Sequence, residues 1–401
     1  MMETLHVALI GFGTVGKGVY ESIGKQREQL EALLRKKVSI EAILIQNGEI
    51  KREVDDRVLV TTDVDELLNL PKLDVVFEAI IGVEPAHTYL SRFIEKGCHV
   101  ITANKELLAT SGNELRKLAE KHNVGLRYEA AVAASIPILS TLREGIRSNQ
   151  IKEISGILNG TSNFILNECQ VSGLSFEEAL RLAQEKGYAE ADPTNDVDGW
   201  DAFYKILILS DLVYGKQPEW ESISRKGIRE VTSFDIKKAE ALGLRIKHIA
   251  NLRLQKEEPV ITVESVAVSE AHPFFNVTGV NNALSVAGNL AGNITLTGPG
   301  AGADPTASAM VEDLLSIDRN STEPVYYSQI EKGNAVEEDF LLIGDDSEVR
   351  GLEVLPTSEK GAYYVTGKRS EVEALLEHSK ASLYPLQGLT LNHSTSRLAV
   401  V

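Results

Sequence analysis

Cysteine, methionine and tryptophan are scarce in this chain: two, three and two among 401 residues. Two cysteines, Cys98 and Cys169, cannot build a disulfide scaffold and offer no zinc spacing. No apolar run reaches the roughly 20 residues of a membrane helix. Positive charge is also short. Lysine and arginine number 41 against 58 acids, for a net charge of -17. That excludes a general basic field for nucleic acid or an anionic membrane, though not a local basic pocket for a small phosphate. The eight histidines form no HExxH pair, and no G-x-S-x-G elbow appears. The opening MMETLHVALIGFG has neither a basic n-region nor a small-residue cleavage site, so a cytoplasmic enzyme is expected. What remains is ordinary for a globular protein, 43% hydrophobic and 25% charged, and long enough for about two to three domains.

The first third alternates apolar β-type runs with helical periodicity. Val7–Ile10, Val38–Ile45, Asp74–Ile80, His99–Thr102 and Val124–Glu129 read as strands. Gly18–Leu34, Glu84–Lys96 and Lys105–His122 read as helices between and after them. This alternation predicts an α/β fold with a Rossmann-type, doubly wound parallel sheet. The pattern changes near residue 130. Pro137 falls in the first turn of an expected helix, Ile151–Leu158 reads as a strand, and Phe176–Glu185 and Trp200–Tyr214 as helices. Ile261–Val268 and Ile294–Leu296 suggest an antiparallel sheet, and Pro305–Leu315 a helix. The expected division is a dinucleotide-binding domain over 1–130, completed by 302–325. An α+β substrate-binding and dimerisation domain would span 131–301, and a small C-terminal α/β module 331–401.

Gly11-Phe12-Gly13-Thr14-Val15-Gly16 follows the first strand and opens the first helix. In that setting the first glycine permits a tight turn. The second admits a pyrophosphate, and the third lets helix and strand pack closely. The free N–H groups of the helix N-terminus would face the phosphate. Gly11–Lys17 also fits G-x-x-x-x-G-K, but Gly18 stands where a triphosphatase loop needs Ser or Thr for magnesium. At the end of the second strand an acid would select NAD and an arginine NADP; Gln46 is neither. Lys51 and Arg52 follow, as phosphate ligands or as plain surface charges. Thr102, Asn104 and Lys105 sit where the strand ends of an open α/β sheet line its ligand crevice. On position alone, Lys105 reads equally as a ligand-facing residue or as a surface lysine opening a helix.

The densest signal is Gly187–Asp201, GYAEADPTNDVDGWD, with five acids and no base. Its spacing fails the calcium loop, since positions one and twelve would be Thr194 and Lys205. A cation, a substrate ammonium or solvent are the open partners. The following helix, WDAFYKILILSDLVY, is apolar nearly all round, yet carries Asp201 and Lys205 one turn apart. A buried lysine is expensive unless paired and shifts its pKa readily. This favours a catalytic lysine held by Asp201 over a surface ion pair.

Together these residues resemble homoserine dehydrogenase. Over roughly 5–320 the family's segments occur in order: GFGTVG, DVVFEAIIGVEPA, TANKELLA, YEAAVAASIPIL, GILNGTSNFIL, GYAEADPTNDVDGWDAFYK, GVNNALSV and GPGAGADPTASA. The resemblance implies NAD(P)-dependent interconversion of L-homoserine and L-aspartate 4-semialdehyde, on the route to threonine and methionine. It implies Lys105 and Lys205 as active-site lysines, with Glu190, Asp201, Tyr188, Asp196, Asn159, Gly160 and Thr161 around the substrate. Gly300 and Gly302 would approach the nicotinamide. The backbone carbonyls of Glu129, Val132, Ala134 and Ile136 would hold a monovalent cation, Na+ or K+. A homodimer or larger homo-oligomer is implied, partnered by a small-molecule substrate. Three features depart from the family pattern. Ala134 and Ser135 stand where glycines are common, and Gln46 where a basic residue is usual. Residues 331–401 lack the usual opening of an ACT domain, so a divergent or shortened version is expected there.

The chemistry agrees with the resemblance. An aldehyde oxygen gains charge as hydride arrives, and a lysine ammonium can stabilise it and donate the proton. A phosphorylating semialdehyde dehydrogenase is the rival enzyme; it would need Cys98 or Cys169 as nucleophile. A dinucleotide sensor without catalysis is the rival of another class, and it leaves the Asp201 and Lys205 pair without a role.

Overall fold

The computed structural model describes residues 2–47, 54–317, 337–345, 352, 354–377, 379–389 and 391. The chain divides into two compact units. The first comprises Met1–Ser148, Tyr204–Lys216 and Gly298–Tyr326; the second comprises Asn149–Phe203, Gln217–Thr297 and Tyr327–Val401.

Six strands form the sheet of the first unit: β1 Thr4–Ile10, β2 Lys37–Leu44, β3 Leu59–Thr61, β4 Val75–Glu78, β5 His99–Thr102 and β6 Leu126–Arg127. Their spatial order is β3-β2-β1-β4-β5-β6, and every pairing is parallel. This is the doubly wound order, with its switch point between β1 and β4. Val7, Ala8, Leu9 and Ile10 are all buried, as expected for a parallel strand covered on both faces. The helix expected over 18–34 is two helices, Thr14–Lys25 and Arg27–Leu34, broken at Gln26, whose backbone leaves the helical region at φ -108° and ψ 16°. The helix Ala303–Ser316 returns to this unit. A Cβ on Gly18 would lie 3.2 Å from both the Ala303 carbonyl and the Ala307 Cβ, so the glycine permits that close packing. Val19, Ile23, Met310 and Leu314 share the core with the strands.

The second unit carries a mixed sheet. Its strands are β7 Ile151–Ile157, β8 Ser224–Arg225, β9 Arg245–Gln255, β10 Glu258–Val268, β11 Asn281–Gly288, β12 Gly292–Pro299, β13 Glu338–Ile343, β14 Val354–Pro356, β15 Ala362–Gly367 and β16 Ser382–Gln387. The path runs β12-β11-β7-β9-β10-β16-β13-β15-β14, with β8 pairing β10. β9 and β10 form a long hairpin closed by Lys256 and Glu257, at φ 49° and 71°. Both central residues at positive φ match the right-handed twist of the flanking strands. The C-terminal strands join this sheet where β16 runs parallel to β10. Leu341, Ile343, Tyr384 and Leu386 share one core with Phe164, Ile165, Leu166 and Ala179 from the helices Gly160–Val171 and Phe176–Glu185. The helix expected at Pro137 is one turn, Ile138–Ser140, running into a π-turn over Thr141–Gly145.

Candidate active site

The glycine loop turns out of β1 as its three glycines allow. Gly11 has φ +94°, and its N–H donates to the Leu44 carbonyl at 2.9 Å. A Cβ on Gly16 would lie 2.1 Å from the Gly11 carbonyl oxygen, so helix and strand close only around glycine. Gly13 is different: nothing lies within 4 Å of its Cβ position. It caps the helix Thr14–Lys25 without any side-chain hydrogen bond. Open space over uncapped N–H groups fits a pyrophosphate. Thr14 is exposed and Val15 half-buried beside this opening. Phe12 instead turns inward, edge-on to Tyr20 with 5.6 Å between ring centroids. Gln46 is exposed just beyond β2. Lys51 and Arg52 lie outside the described residues.

Next to this loop, the ends of β4 and β5 are tied by a polar knot. Thr102 Oγ1 donates to Glu78 Oε2 and accepts the Asn104 N–H at 2.9 Å. Asn104 caps the helix Lys105–Lys121 by accepting the Leu107 N–H at 3.0 Å, and its amide donates to the Gly82 carbonyl at 2.7 Å. Glu78 is fully buried, and burial raises its carboxyl to about 7 against the opposing pull of Thr102, the Ile80 N–H and Asn104. Lys105, half-buried, begins the helix that this knot positions. Gly300 is buried, while Gly302, at φ +118°, caps the helix Ala303–Ser316.

In the second unit Asn159 meets two acids some forty residues further along the chain. Asn159, at the end of β7, donates its amide to Asp196 Oδ1 at 2.7 Å and to Asp201 Oδ2 at 2.9 Å. Its amide oxygen accepts the Ser162 N–H at 2.7 Å, which caps the helix Gly160–Val171. The whole hydrogen-bonding capacity of one side chain's N–H2 group thus goes to two carboxylates. Thr161 donates to the Tyr188 carbonyl at 2.7 Å, and the Tyr188 ring packs edge-on against Phe164. Tyr188 is nevertheless exposed, as is Glu190, whose carbonyl accepts the Gln184 amide. The helix Trp200–Tyr214 is buried along most of its length; Asp201, at 4% exposure, falls in the second unit, and Lys205, at 7%, in the first. Asp201 therefore has Asn159 as a partner, which the sequence reading did not assign.

The segment after β6 is unusual in its backbone. Ala134 holds φ +45°, a region that favours glycine. The Ile136 carbonyl accepts the Ile138 N–H at 2.8 Å and the Glu129 carbonyl the Val132 N–H at 3.4 Å. The Glu129 carboxylate accepts the Leu139 and Ser140 N–H groups, both at 2.7 Å. Each of its oxygens thus accepts one backbone N–H. Both cysteines are buried, and burial pushes each thiol up to about 11. Neither is an activated nucleophile.

The Glu78 knot escaped the sequence reading. Its signal was an acid inside the otherwise apolar run DVVFEAI. Lys247, in RIKHIANL, left the same kind of trace.

Comparison with known proteins places the chain in a family. The family model for the homoserine dehydrogenase NAD binding domain matches residues 11–129, and that for homoserine dehydrogenase matches 137–315. The homoserine dehydrogenase of Neisseria gonorrhoeae is 36% identical over 409 residues, covering 100% of this chain and 92% of its own length. That of Bacillus subtilis is 38% identical over 320 residues, 80% of this chain and 74% of its own. A solved homoserine dehydrogenase from Thiobacillus denitrificans superposes with a TM-score of 0.86 at 30% identity, covering 96% of this chain and 99% of the other. A hyperthermophilic archaeal homoserine dehydrogenase in complex with NADPH gives 0.69 at 27% identity, covering 80% and 99%.

Proposed function

Because the chain belongs to the homoserine dehydrogenase family and is an NAD(P)-dependent oxidoreductase, we propose how its residues divide the reaction between L-homoserine and L-aspartate 4-semialdehyde. The observation that carries the reading is the convergence of Asn159, Asp196 and Asp201 one helical turn before a buried lysine. The glycine loop from Gly11 to Gly16 holds the cofactor's pyrophosphate. When bound, the nicotinamide accepts or supplies the hydride. Lys205 takes the hydroxyl proton in oxidation and returns it in reduction, which requires an ammonium pKa drawn toward neutrality. Lys105 polarises the same oxygen. Asp201 orients Lys205. Glu190 binds the substrate ammonium, and Tyr188, Asp196, Asn159, Gly160 and Thr161 complete the substrate's surroundings. Thr102, Asn104, Gly300 and Gly302 shape the cofactor side. The carbonyls of Glu129, Val132, Ala134 and Ile136 hold a monovalent cation.

The same reading keeps 1–130 with 302–325 as the cofactor domain, 131–301 as the substrate and dimerisation domain and 331–401 as a C-terminal module. Among the described residues no helix is long and apolar enough to cross a membrane. A cytoplasmic homodimer or larger homo-oligomer, acting in threonine and methionine synthesis, completes the proposal. Homoserine-dependent reduction of NAD and of NADP, assayed separately, tests it. Turnover with either establishes the reaction in this chain and settles what Gln46 selects. Cofactor binding without turnover on either would favour the sensor reading instead.

A further inference from the structure

Lys247 lies on β9 with 2% of its surface exposed, and among the described residues no carboxylate pairs with it. A methionine would fill similar space without a buried charge. What Lys247 does contact is one carbonyl and one amide side chain. Its ammonium donates to the Val277 carbonyl at 2.6 Å and reaches Asn163 Oδ1 at 3.4 Å. Asn163 is fully buried, and its amide donates to the carbonyls of Gly279 at 3.0 Å, Asn281 at 3.3 Å and Val277 at 3.4 Å. One lysine and one asparagine therefore strap the segment 277–281 to the helix Gly160–Val171. That segment also passes directly beneath the helix start. A Cβ on Gly160 would lie 2.4 Å from the Val280 carbonyl oxygen, a contact that admits no side chain. The next residue back is Asn159, which holds Asp196 and Asp201.

We infer that Lys247 is a positioning residue for the substrate: it fixes the 277–281 backbone under Gly160, and thereby the place of Asn159 and the two acids that Asn159 holds. The inference rests on the reading of that cluster as the substrate subsite. Lys247 touches no reacting atom in this account. It acts by denying the helix N-terminus a second resting height. Loss of the strap relaxes that height while leaving the glycine loop, more than two hundred residues earlier in the chain, as it was.

The test is the split between KM and kcat. Lys247→Met is expected to raise KM for homoserine by about tenfold, with kcat and the cofactor Kd changed by less than about twofold. A purely structural lysine would lower Tm and the active fraction but leave KM alone, and an unchanged KM overturns the inference. Asn163→Asp serves if the methionine variant does not fold. It keeps an acceptor for Lys247 but removes the amide donors, so KM is again expected to rise, and an unchanged KM in the folded variant overturns the inference. Asp196→Asn separates the two levels of the argument. If it raises KM and Lys247→Met does not, the strap alone is wrong. If neither raises KM, the subsite reading falls and the strap with it.

Discussion

The two units build their polar sites by opposite means. In the first, the cofactor loop is built of backbone: a glycine turn, a helix N-terminus and open space over Gly13, with the side-chain knot of Glu78, Thr102 and Asn104 beside it. In the second, side chains do it: one asparagine gathers two acids from 37 and 42 residues away. A site made of backbone leaves a compact motif, because glycines must recur at fixed short spacing along one turn. A site made of converging side chains leaves no motif, only a local excess of one residue type. The sheets differ in the same direction. The parallel sheet follows chain order closely enough for strand and helix to be counted off. The mixed sheet pairs β10 with β16, across more than a hundred residues, which no local pattern encodes.

This contrast explains what was legible. The doubly wound sheet, the glycine loop and the buried helix at 200–214 follow from periodicity and motif. The strands β9 and β11 and the helix Gly160–Val171 were not anticipated. That helix is buried nearly all round, with Thr161 through Leu166 inside, so it shows no amphipathic period. Among the site residues, Asp201 and Lys205 stood out because charge in an apolar helix is costly. The bridge through Asn159 did not, because an asparagine at a strand end reads equally as a turn. Lys51 and Arg52, the candidate phosphate ligands after Gln46, lie outside the described residues.

The largest expected effect is at Lys205, one helical turn after Asp201. Lys205→Ala should lower kcat by about a thousandfold or more, the upper range for loss of a positioned proton donor. Cofactor Kd, set by the glycine loop, should stay within about twofold. Steady-state kinetics with a fluorescence titration of the reduced cofactor reads both. Unchanged turnover would remove the assignment.

The next tests whether side chains also hold the second sheet together. Arg369 donates to both Glu264 oxygens at 2.6 and 2.7 Å and to Glu338 at 2.8 Å, while Arg253 reaches Glu338 at 2.9 Å. Burial raises the Glu264 carboxyl, and the Arg369 guanidinium opposes that. Arg369→Met leaves the buried Glu264 carboxylate without its hydrogen-bonded cation, with only the more remote charge of Lys226, at a cost of about 3 kcal/mol. Adding Glu264→Gln should recover part of the loss. Denaturant melts of the single and double variants check this; equal losses in both would mean that Glu264 is indifferent to its partner.

A smaller effect asks whether the backbone-built unit hides a titrating group. Glu78 is an acid whose folded pKa, about 7, lies above its ordinary value of 4.5. The folded state therefore binds more protons than the unfolded state between those values, and stability falls as pH rises through that window. The difference corresponds to about 3 kcal/mol. Glu78→Gln should remove that slope, whatever its effect on the absolute level through the Thr102 and Ile80 partners. The difference in Tm between the two proteins, followed from about pH 4.5 to about pH 7.5, isolates this group from the other acids. Parallel curves would mean that Glu78 is charged throughout.

The smallest effect is the sharpest for the comparison, because one substitution is placed twice on one helix. Neither Gly13 nor Gly24 has an atom within 4 Å of its Cβ position, and neither has positive φ. Alanine is sterically free at both. At Gly24, inside the helix Thr14–Lys25, it should stabilise by about 0.5–1 kcal/mol through helix propensity alone. At Gly13 the new methyl enters the space over the uncapped N–H groups. Fold and Tm should hold while cofactor affinity falls by about tenfold, or about 1.4 kcal/mol. If the two variants bind cofactor equally well, the emptiness above Gly13 is only emptiness. If only Gly13→Ala loses affinity, the backbone of this loop is itself the ligand-binding surface, and a void rather than a side chain defines the site.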